Sequence, residues 1–105
     1  MLEHIVLLKL KPGVTEAQTA ELMQALADVG PKGGIGGIVS VAGGYNNSPE
    51  GKNAGYEFGF VITFEDAAAR DAYLPHPAHQ EIGRRFVRPI IDSAIAFDFD
   101  RPAPV

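Results

Sequence analysis

The spacing of hydrophobic and polar positions along the chain predicts four β-strands. In residues 56–64 bulky apolar side chains occupy every second position, which is the period of a strand with one buried face. Residues 2–11 show the same period, and both faces of this segment are apolar in its middle. Residues 38–45, which begin with β-branched side chains, and residues 93–100, which alternate again, complete the predicted set.

A capping pattern marks the start of the first predicted helix. Thr15 is followed three residues later by Gln18, which is the spacing of a capping box. The helix is predicted to continue to about Val29 and to stop at Gly30-Pro31. Residues 31–37 contain four glycines and lead into a strand, so they predict a flexible connector rather than a phosphate-binding loop. The predicted buried stripe of the helix consists of Leu22, Met23, Leu26 and Val29.

Two prolines divide the second helical region. Asp66 can cap a helix that runs to about Tyr73, and Pro75 ends it. Pro77 suits the first position of a further helix, which Pro89 bends or ends.

The order of these elements predicts an α+β fold of the ferredoxin-like βαββαβ type. This fold has a four-stranded antiparallel sheet with helices on one face. The other face would still carry bulky apolar side chains, and leaving one of them in water forfeits about 1.5–3 kcal/mol. Monomers rarely tolerate so large an exposed patch, so the sequence predicts a homodimer. The residues predicted on this open face are Ile5, Leu7, Ile95, Phe97 and Phe99.

Composition narrows the classes of protein that the chain can represent. Its 105 residues predict one domain, residues 1–100, followed by a short tail, residues 101–105. The absence of cysteine excludes disulfides and thiolate metal sites. A net charge of −4 disfavours nucleic acid as a partner. No apolar run is long enough to span a membrane and the start of the chain lacks a basic leader, so a cytoplasmic protein without membrane contact is expected.

The segment Tyr73-Leu-Pro-His-Pro-Ala-His79 concentrates the reactive chemistry of the chain. It contains two of the three histidines and places three proton-handling side chains within seven residues. An imidazole titrates near neutral pH and suits general acid–base catalysis. His79 shares one helical face with the apolar Ile82 and Phe86, so its ring is predicted to point toward the sheet.

A strand face with His4 and Val6 should lie opposite this helix, beside the small Ala94 and Ala96. Small residues opposite a histidine and a tyrosine leave an apolar cavity with a few polar groups, which is typical of a ligand pocket. The candidate catalytic residues are His79 and Tyr73, and the candidate substrate-binding residues are His4, Val6, His76, Ile82, Phe86 and Asp98.

Structural roles remain open for several of these residues. His76 can cap the helix that begins at Pro77, and His4 or Tyr73 can be an ordinary core residue. Asp98 can orient a histidine or simply end a strand at solvent. The spacing of His76 and His79 could suit zinc together with His4, but no cysteine or Glu-x-x-His motif supports a metal site. Motifs for dinucleotides, haem and phosphate are absent, so no cofactor is expected.

Four segments of the chain resemble the stress-responsive A/B barrel domain family. They are Leu2-Glu-His-Ile-Val-Leu-Leu-Lys-Leu-Lys11, Gly55-Tyr56 with Phe60-Val-Ile-Thr-Phe64, Tyr73-Leu-Pro-His-Pro-Ala-His79, and Phe97-Asp-Phe99. The likeness covers residues 2–100, and the Tyr-x-x-His-Pro-x-His segment is its most specific part. The resemblance implies a dimeric α+β barrel in which two sheets pack face to face, with a pocket between the sheet and the helices of each subunit.

The resemblance also implies roles for individual residues. In cyclase-type members the second histidine of the segment acts as general base and acid and the tyrosine polarises a substrate oxygen, so these roles fall on His79 and Tyr73. It places His4 and Asp98 at the same pocket. Those enzymes carry a histidine where this chain has Phe58, which makes an identical substrate doubtful.

Two classes of function therefore stay open. The first is a cofactor-independent enzyme of the cyclase, lyase or isomerase type, which acts by acid–base chemistry on a small hydrophobic or aromatic carbonyl compound or a polyketide-like one. The second is a non-catalytic dimer that binds a hydrophobic ligand or has a stress-related role.

Overall fold

Four antiparallel strands form one sheet in the computed structural model, which describes residues 1–102. Their order across the sheet is β2-β3-β1-β4, so β1 and β3 lie in the centre. The strands are β1 (Leu2–Leu10), β2 (Ile38–Tyr45), β3 (Phe58–Phe64) and β4 (Ile91–Asp100). The α+β ferredoxin-like arrangement predicted from the sequence is confirmed. The predicted tail, residues 101–105, lies outside the described residues from position 103 onward.

Three helices pack on one face of this sheet. They are α1 (Glu16–Gly33), α2 (Ala67–Tyr73) and α3 (Pro77–Ile82). A π-helical turn, Gly83–Val87, and a 3₁₀ turn, Arg88–Ile90, connect α3 to β4. Within residues 1–102 no helix is long and apolar enough to cross a membrane.

The core lies between the helices and the even-numbered side chains of β1 and β3. Leu8, Ile62 and Phe64 of the two central strands are fully buried, as are Leu22 and Leu26 of α1. The buried side chains follow a period of two along the strands and a period of 3.6 along the helix, so each element presents one apolar face to the core. The predicted stripe of α1 is confirmed for three of its members, while Met23 is only partly buried.

The predicted end of α1 at Gly30-Pro31 is wrong. The helix contains Pro31 and ends at Gly33. A proline has a helical φ angle and removes one backbone donor without preventing the next turn. Gly34 then closes the helix with a φ of +72° and donates its N–H to the carbonyl of Gly30. The connector between α1 and β2 is therefore residues 34–37, shorter than the predicted residues 31–37.

The face of the sheet that lacks helices is apolar, as the strand pattern predicted. Leu7, Ile95, Phe97 and Phe99 are exposed, and Phe97 is the most exposed of them at 64%. Ile5 on the same face is half-buried. This open face, defined by these five residues, is the largest apolar surface that the sequence analysis singled out.

Gly37 holds the start of β2 against α2, and its replacement tests how closely this helix must pack. A Cβ at position 37 would overlap the Cβ of Ala69, and the φ of Gly37 is +84°. Left-handed backbone and overpacking are each destabilising, so Gly37→Ala should lower the free energy of unfolding by about 2–4 kcal/mol. Chemical denaturation measures this change.

Gly34→Ala is the matched control for this substitution. Its φ is +72°, but a Cβ there meets no atom within 4 Å. We expect a loss of about 1–2 kcal/mol from the left-handed backbone alone. Equal losses for the two variants would contradict a packing constraint between Gly37 and α2.

Candidate active site

A cavity of about 140 Å³ lies between the sheet and the three helices. Side chains from two strands and all three helices form its wall. The lining residues are His4, Val6, Leu26, Phe60, Tyr73, His79, Ile82, Gly83 and Val87. Four larger surface depressions, of about 410, 470, 380 and 290 Å³, contain no histidine in their walls. The smaller cavity is therefore the candidate site, because it brings two histidines and a tyrosine to one enclosed apolar wall.

Two short helices bring Tyr73 and His79 together. Tyr73 is the last residue of α2, and α3 begins at Pro77 after His76, whose Nδ1 accepts a hydrogen bond of 3.0 Å from the N–H of Ala78. The rings of Tyr73 and His79 then lie 4.3 Å apart between centroids. The corner that the two prolines predicted thus places both side chains at the same cavity.

The hydrogen bonds of His79 determine its tautomer. Nδ1 lies 2.8 Å from the carbonyl oxygen of Leu74. A carbonyl only accepts hydrogen bonds, so Nδ1 carries the proton. In the neutral ring Nε2 is then unprotonated and has a free lone pair. A general base needs such a lone pair to accept a proton.

Burial sets the protonation states of both candidate catalytic residues. It lowers the pKa of His79; the hydrogen bond to Leu74 opposes this shift, and the nearby His4 adds to it. Burial also raises the pKa of Tyr73 well above its ordinary value. At neutral pH the site therefore presents a neutral imidazole beside a protonated phenol.

His4 approaches the cavity from the central strand β1. It pairs directly with Asp98 of β4, and its Nδ1 lies 2.7 Å from Oδ1 of that carboxylate. Its ring is edge-on to Tyr73, with 6.3 Å between centroids. His4 is 7% exposed, so its outer ring atoms face the cavity rather than bulk solvent.

Three polar atoms have no protein partner in this cavity. Among residues 1–102, Nε2 of His4, Oη of Tyr73 and Nε2 of His79 make no hydrogen bond. None of the three is fully buried either. In that range the only fully buried side-chain atom without a hydrogen bond is Oε1 of Glu3, which lies 2.7 Å from Nη2 of Arg101 in an ion pair. An apolar cavity with a few converging polar groups is the usual composition of a ligand site.

A model of the stress responsive A/B barrel domain family matches residues 2–101. The chain belongs to this family. The resemblance drawn from the four sequence segments is therefore confirmed, and the family domain covers nearly all of the chain.

Relatives with names and structures lie at moderate distance. Olivetolic acid cyclase of Cannabis sativa is 28% identical over 97 residues, which cover 92% of this chain and 93% of the cyclase. A crystal structure of an Arabidopsis thaliana protein matches with a TM-score of 0.86 at 27% identity, covering 100% of this chain and 99% of that one. A dimeric ferredoxin-like protein of unknown function from Jannaschia sp. CCS1 matches with a TM-score of 0.71 at 33% identity, covering 95% and 98%.

The structure brings most of the predicted site residues of this family member to the cavity. Five of them line it, namely His4, Val6, Tyr73, His79 and Ile82. Asp98 lies behind His4, and its side chain is 22% exposed. His76 is the N-cap of α3 and does not line the cavity. Its position is that of the helix-capping residue that the sequence left as an alternative.

Two expectations about the cavity wall are wrong. Phe86 does not line the cavity, whereas Val87 does. The π-helical turn at Gly83–Val87 adds a residue to the helical repeat, so the inward direction moves from position 86 to position 87. Ala94 and Ala96 are exposed, because β4 is an edge strand that extends beyond the helices.

Sequence reasoning assigned Leu26 and Phe60 to the core without seeing that they also close the cavity. Both have the right periodicity for the helix-facing side of their elements. Arg70 was missed as well: it donates from Nη1 to Oδ2 of Asp98 at 3.1 Å. Within residues 1–102 no group of three His, Cys, Asp or Glu side chains is arranged to hold a metal ion.

The lowered pKa of His79 gives a titration that can be measured. We expect ¹⁵N NMR to show Nδ1 protonated at neutral pH and a pKa of His79 below the ordinary histidine value of about 6.5. The folded state should lose stability as the pH falls from about 6.5 toward the folded-state pKa, since protonation is easier in the unfolded chain. His79→Gln should remove this part of the acid dependence. A folded-state pKa at or above that of the urea-unfolded protein would contradict the effect of burial.

Proposed function

We propose that the cavity binds a small carbonyl compound and moves a proton at the carbon next to the carbonyl group, without a cofactor. One observation carries this proposal: the free Nε2 of a neutral His79 and the hydroxyl of Tyr73 reach one apolar cavity from rings 4.3 Å apart. A base beside a hydrogen-bond donor is the pair of groups that enolate formation requires.

The step uses only side chains of this chain. Nε2 of His79 takes the proton from the carbon, and the electrons of the broken C–H bond form the double bond of an enolate. The Tyr73 hydroxyl donates a hydrogen bond to the enolate oxygen, where the negative charge develops. The protonated imidazole then returns its proton to the same carbon or to a neighbouring atom of the enolate, which completes a hydrogen exchange or an isomerisation.

The volume of the cavity limits the size of this compound. At about 140 Å³ it is close to the size of an engineered cavity that holds benzene. Sites for drug-sized ligands are roughly 300–1,000 Å³. The bulky side chains of Phe60 and Leu26 form part of its wall. The structure therefore favours a small carbonyl compound over a polyketide-like chain.

Similarity to a named enzyme supports the catalytic proposal. Olivetolic acid cyclase is by its name an enzyme, and it aligns with 92% of this chain. At 28% identity the likeness supports a reaction of the cyclase or lyase type without indicating the substrate. The apolar wall of the cavity also suits the alternative, a non-catalytic protein that binds a small hydrophobic molecule.

Hydrogen–deuterium exchange in small ketones tests the proton transfer. Incubation with hydroxyacetone or butanone in D₂O should exchange the hydrogens next to the carbonyl, followed as loss of their ¹H NMR signals. His79→Gln should lower the exchange rate by about 10²–10⁴-fold, the contribution typical of a general base. Tyr73→Phe keeps the ring but removes the donor, and should lower the rate by about 10²-fold.

Glu81→Gln is the control for these variants. Glu81 is an exposed residue of α3 and does not line the cavity, so its replacement should leave the rate unchanged. A wild-type protein that binds a ketone but exchanges it no faster than the His79→Gln variant would overturn the catalytic proposal. That result would favour the ligand-binding alternative.

We also propose that the open face forms a homodimer interface. It exposes Leu7, Ile95, Phe97 and Phe99 together, and the 33%-identical protein of Jannaschia sp. CCS1 is described as dimeric. A second copy would remove this apolar surface from water and complete the two-sheet barrel that the family resemblance implies.

Phe97→Glu tests the interface by placing a charge at its most exposed apolar position. We expect the wild-type protein to sediment as a dimer at micromolar concentration. This variant should sediment as a monomer, because an unpaired charge buried in the interface is unfavourable. Ala96→Glu is the matched control, since Ala96 is exposed on the opposite face of the same strand. A wild-type monomer, or equal dissociation of both variants, would contradict the proposed interface.

A further inference from the structure

An arginine of α2 is connected to the candidate site through two hydrogen bonds. Nη1 of Arg70 donates to Oδ2 of Asp98 at 3.1 Å, and Oδ1 of the same carboxylate lies 2.7 Å from Nδ1 of His4. Arg70 and Tyr73 are three residues apart on one helix, so α2 presents the arginine to Asp98 and the phenol to the cavity. Each oxygen of Asp98 thus has a partner, one on either side.

The donors and acceptors in this chain of contacts fix the state of His4. A guanidinium can only donate, and an ionised carboxylate can only accept. Asp98 therefore accepts from both neighbours, and the neutral His4 carries its proton on Nδ1. Its Nε2, which has no hydrogen-bond partner in residues 1–102, is left as an acceptor at the cavity.

Arg70 fixes the orientation of the Asp98 carboxylate relative to His4. Asp98 is partly exposed, at 22% of its side chain, so its carboxylate has room to rotate toward water. The guanidinium of Arg70 holds one oxygen, and a second bond from its Nε to Asp71, at 3.0 Å, holds the guanidinium itself. The remaining oxygen of Asp98 then stays aimed at His4.

We propose that Arg70 is a positioning residue that, through Asp98, keeps Nε2 of His4 as a hydrogen-bond acceptor, so that the cavity selects small carbonyl compounds that also carry a hydroxyl group. The choice of compound class rests on the function proposed above; the role of Arg70 does not. The three unpartnered atoms divide the recognition among them. Tyr73 donates to the carbonyl oxygen, His79 takes the proton from carbon, and His4 accepts from the hydroxyl.

A ligand without a hydroxyl would leave the His4 acceptor unpaired in an enclosed apolar site. An unpaired buried acceptor is unfavourable, and sites that are built to bind a hydroxyl discriminate strongly against analogues that lack it. Hydroxyacetone and butanone are a suitable pair of probes, because they differ only by a hydroxyl in place of a methyl group. Hydroxyacetone should bind roughly tenfold more tightly than butanone.

The tautomer of His4 tests the role of Arg70 without any substrate. In the wild-type protein, ¹⁵N NMR of the neutral His4 ring should show Nδ1 protonated and Nε2 free. The Arg70 guanidinium cannot accept a hydrogen bond, so in Asp98→Asn the amide oxygen should turn toward Arg70. The amide N–H₂ group should then face His4. The His4 proton should then move to Nε2. In the double variant Arg70→Met with Asp98→Asn the amide is free to turn back, and Nδ1 protonation should return.

Ligand binding gives the second readout, by NMR titration of the folded variants with each ketone. Arg70→Met keeps the length of the side chain without its donors; His4 should then populate both tautomers, and the preference for hydroxyacetone should fall to about threefold or less. Arg70→Lys retains a donor and should restore most of the preference. Arg84→Met is the matched control, because Arg84 pairs with Glu81 on an exposed helix face, and it should change neither tautomer nor preference.

The outcomes separate this inference from the proposed catalysis. If neither ketone undergoes exchange, the proposed function fails, while the His4 tautomers still measure the role of Arg70. If Asp98→Asn leaves the His4 proton on Nδ1, or if Arg70→Met retains one tautomer, the positioning role is overturned. Equal affinities of the wild-type protein for the two ketones would overturn the hydroxyl preference.

Discussion

The break between α2 and α3 is the constraint on which the candidate site depends. In a continuous helix the carbonyl of Leu74 would accept from the N–H of Ala78. At the break, the N–H of Ala78 donates to Nδ1 of His76 instead. The carbonyl of Leu74 is then free to accept a hydrogen bond from Nδ1 of His79. The same interruption therefore begins the new helix, fixes the tautomer of His79 and turns its ring toward Tyr73.

Local rules predicted this part of the site because its cause is local. Pro75 and Pro77 have fixed backbone angles and lack an N–H, so the end of one helix and the start of the next can be read from the sequence. The strand parity that puts His4 and Val6 on the helix-covered face follows from a period of two. The same rules failed where helical geometry departs from its average. One place is Pro31 inside α1, and the other is the π-helical turn, which brings Val87 rather than Phe86 to the cavity.

The contacts around Asp98 could be predicted only in part, for a different reason. The family resemblance placed His4 and Asp98 at one pocket, but nothing in the sequence indicated the contact with Arg70. His4 and Asp98 are 94 positions apart, and Arg70 is 28 positions from Asp98. Their meeting depends on the register between β1 and β4 and on the placement of α2, from which Arg70 reaches Asp98. Sequence periodicity assigns a face to each residue but contains no information on which residues of different elements become neighbours. Nothing in the sequence therefore distinguishes Arg70 from an ordinary charged residue of its helix.

The central strand β1 connects the two faces of the sheet. His4 and Val6 point into the cavity, while Ile5 and Leu7, the residues that alternate with them, belong to the open face. A subunit packed on that face would restrict the motion of the β1 backbone. The hydrogen bond to Asp98 restricts the orientation of the His4 ring. The position of His4 would then depend on assembly as well as on Arg70. A polar group that must be held to a fraction of an ångström is best placed on such a strand, because a loop would leave its orientation free.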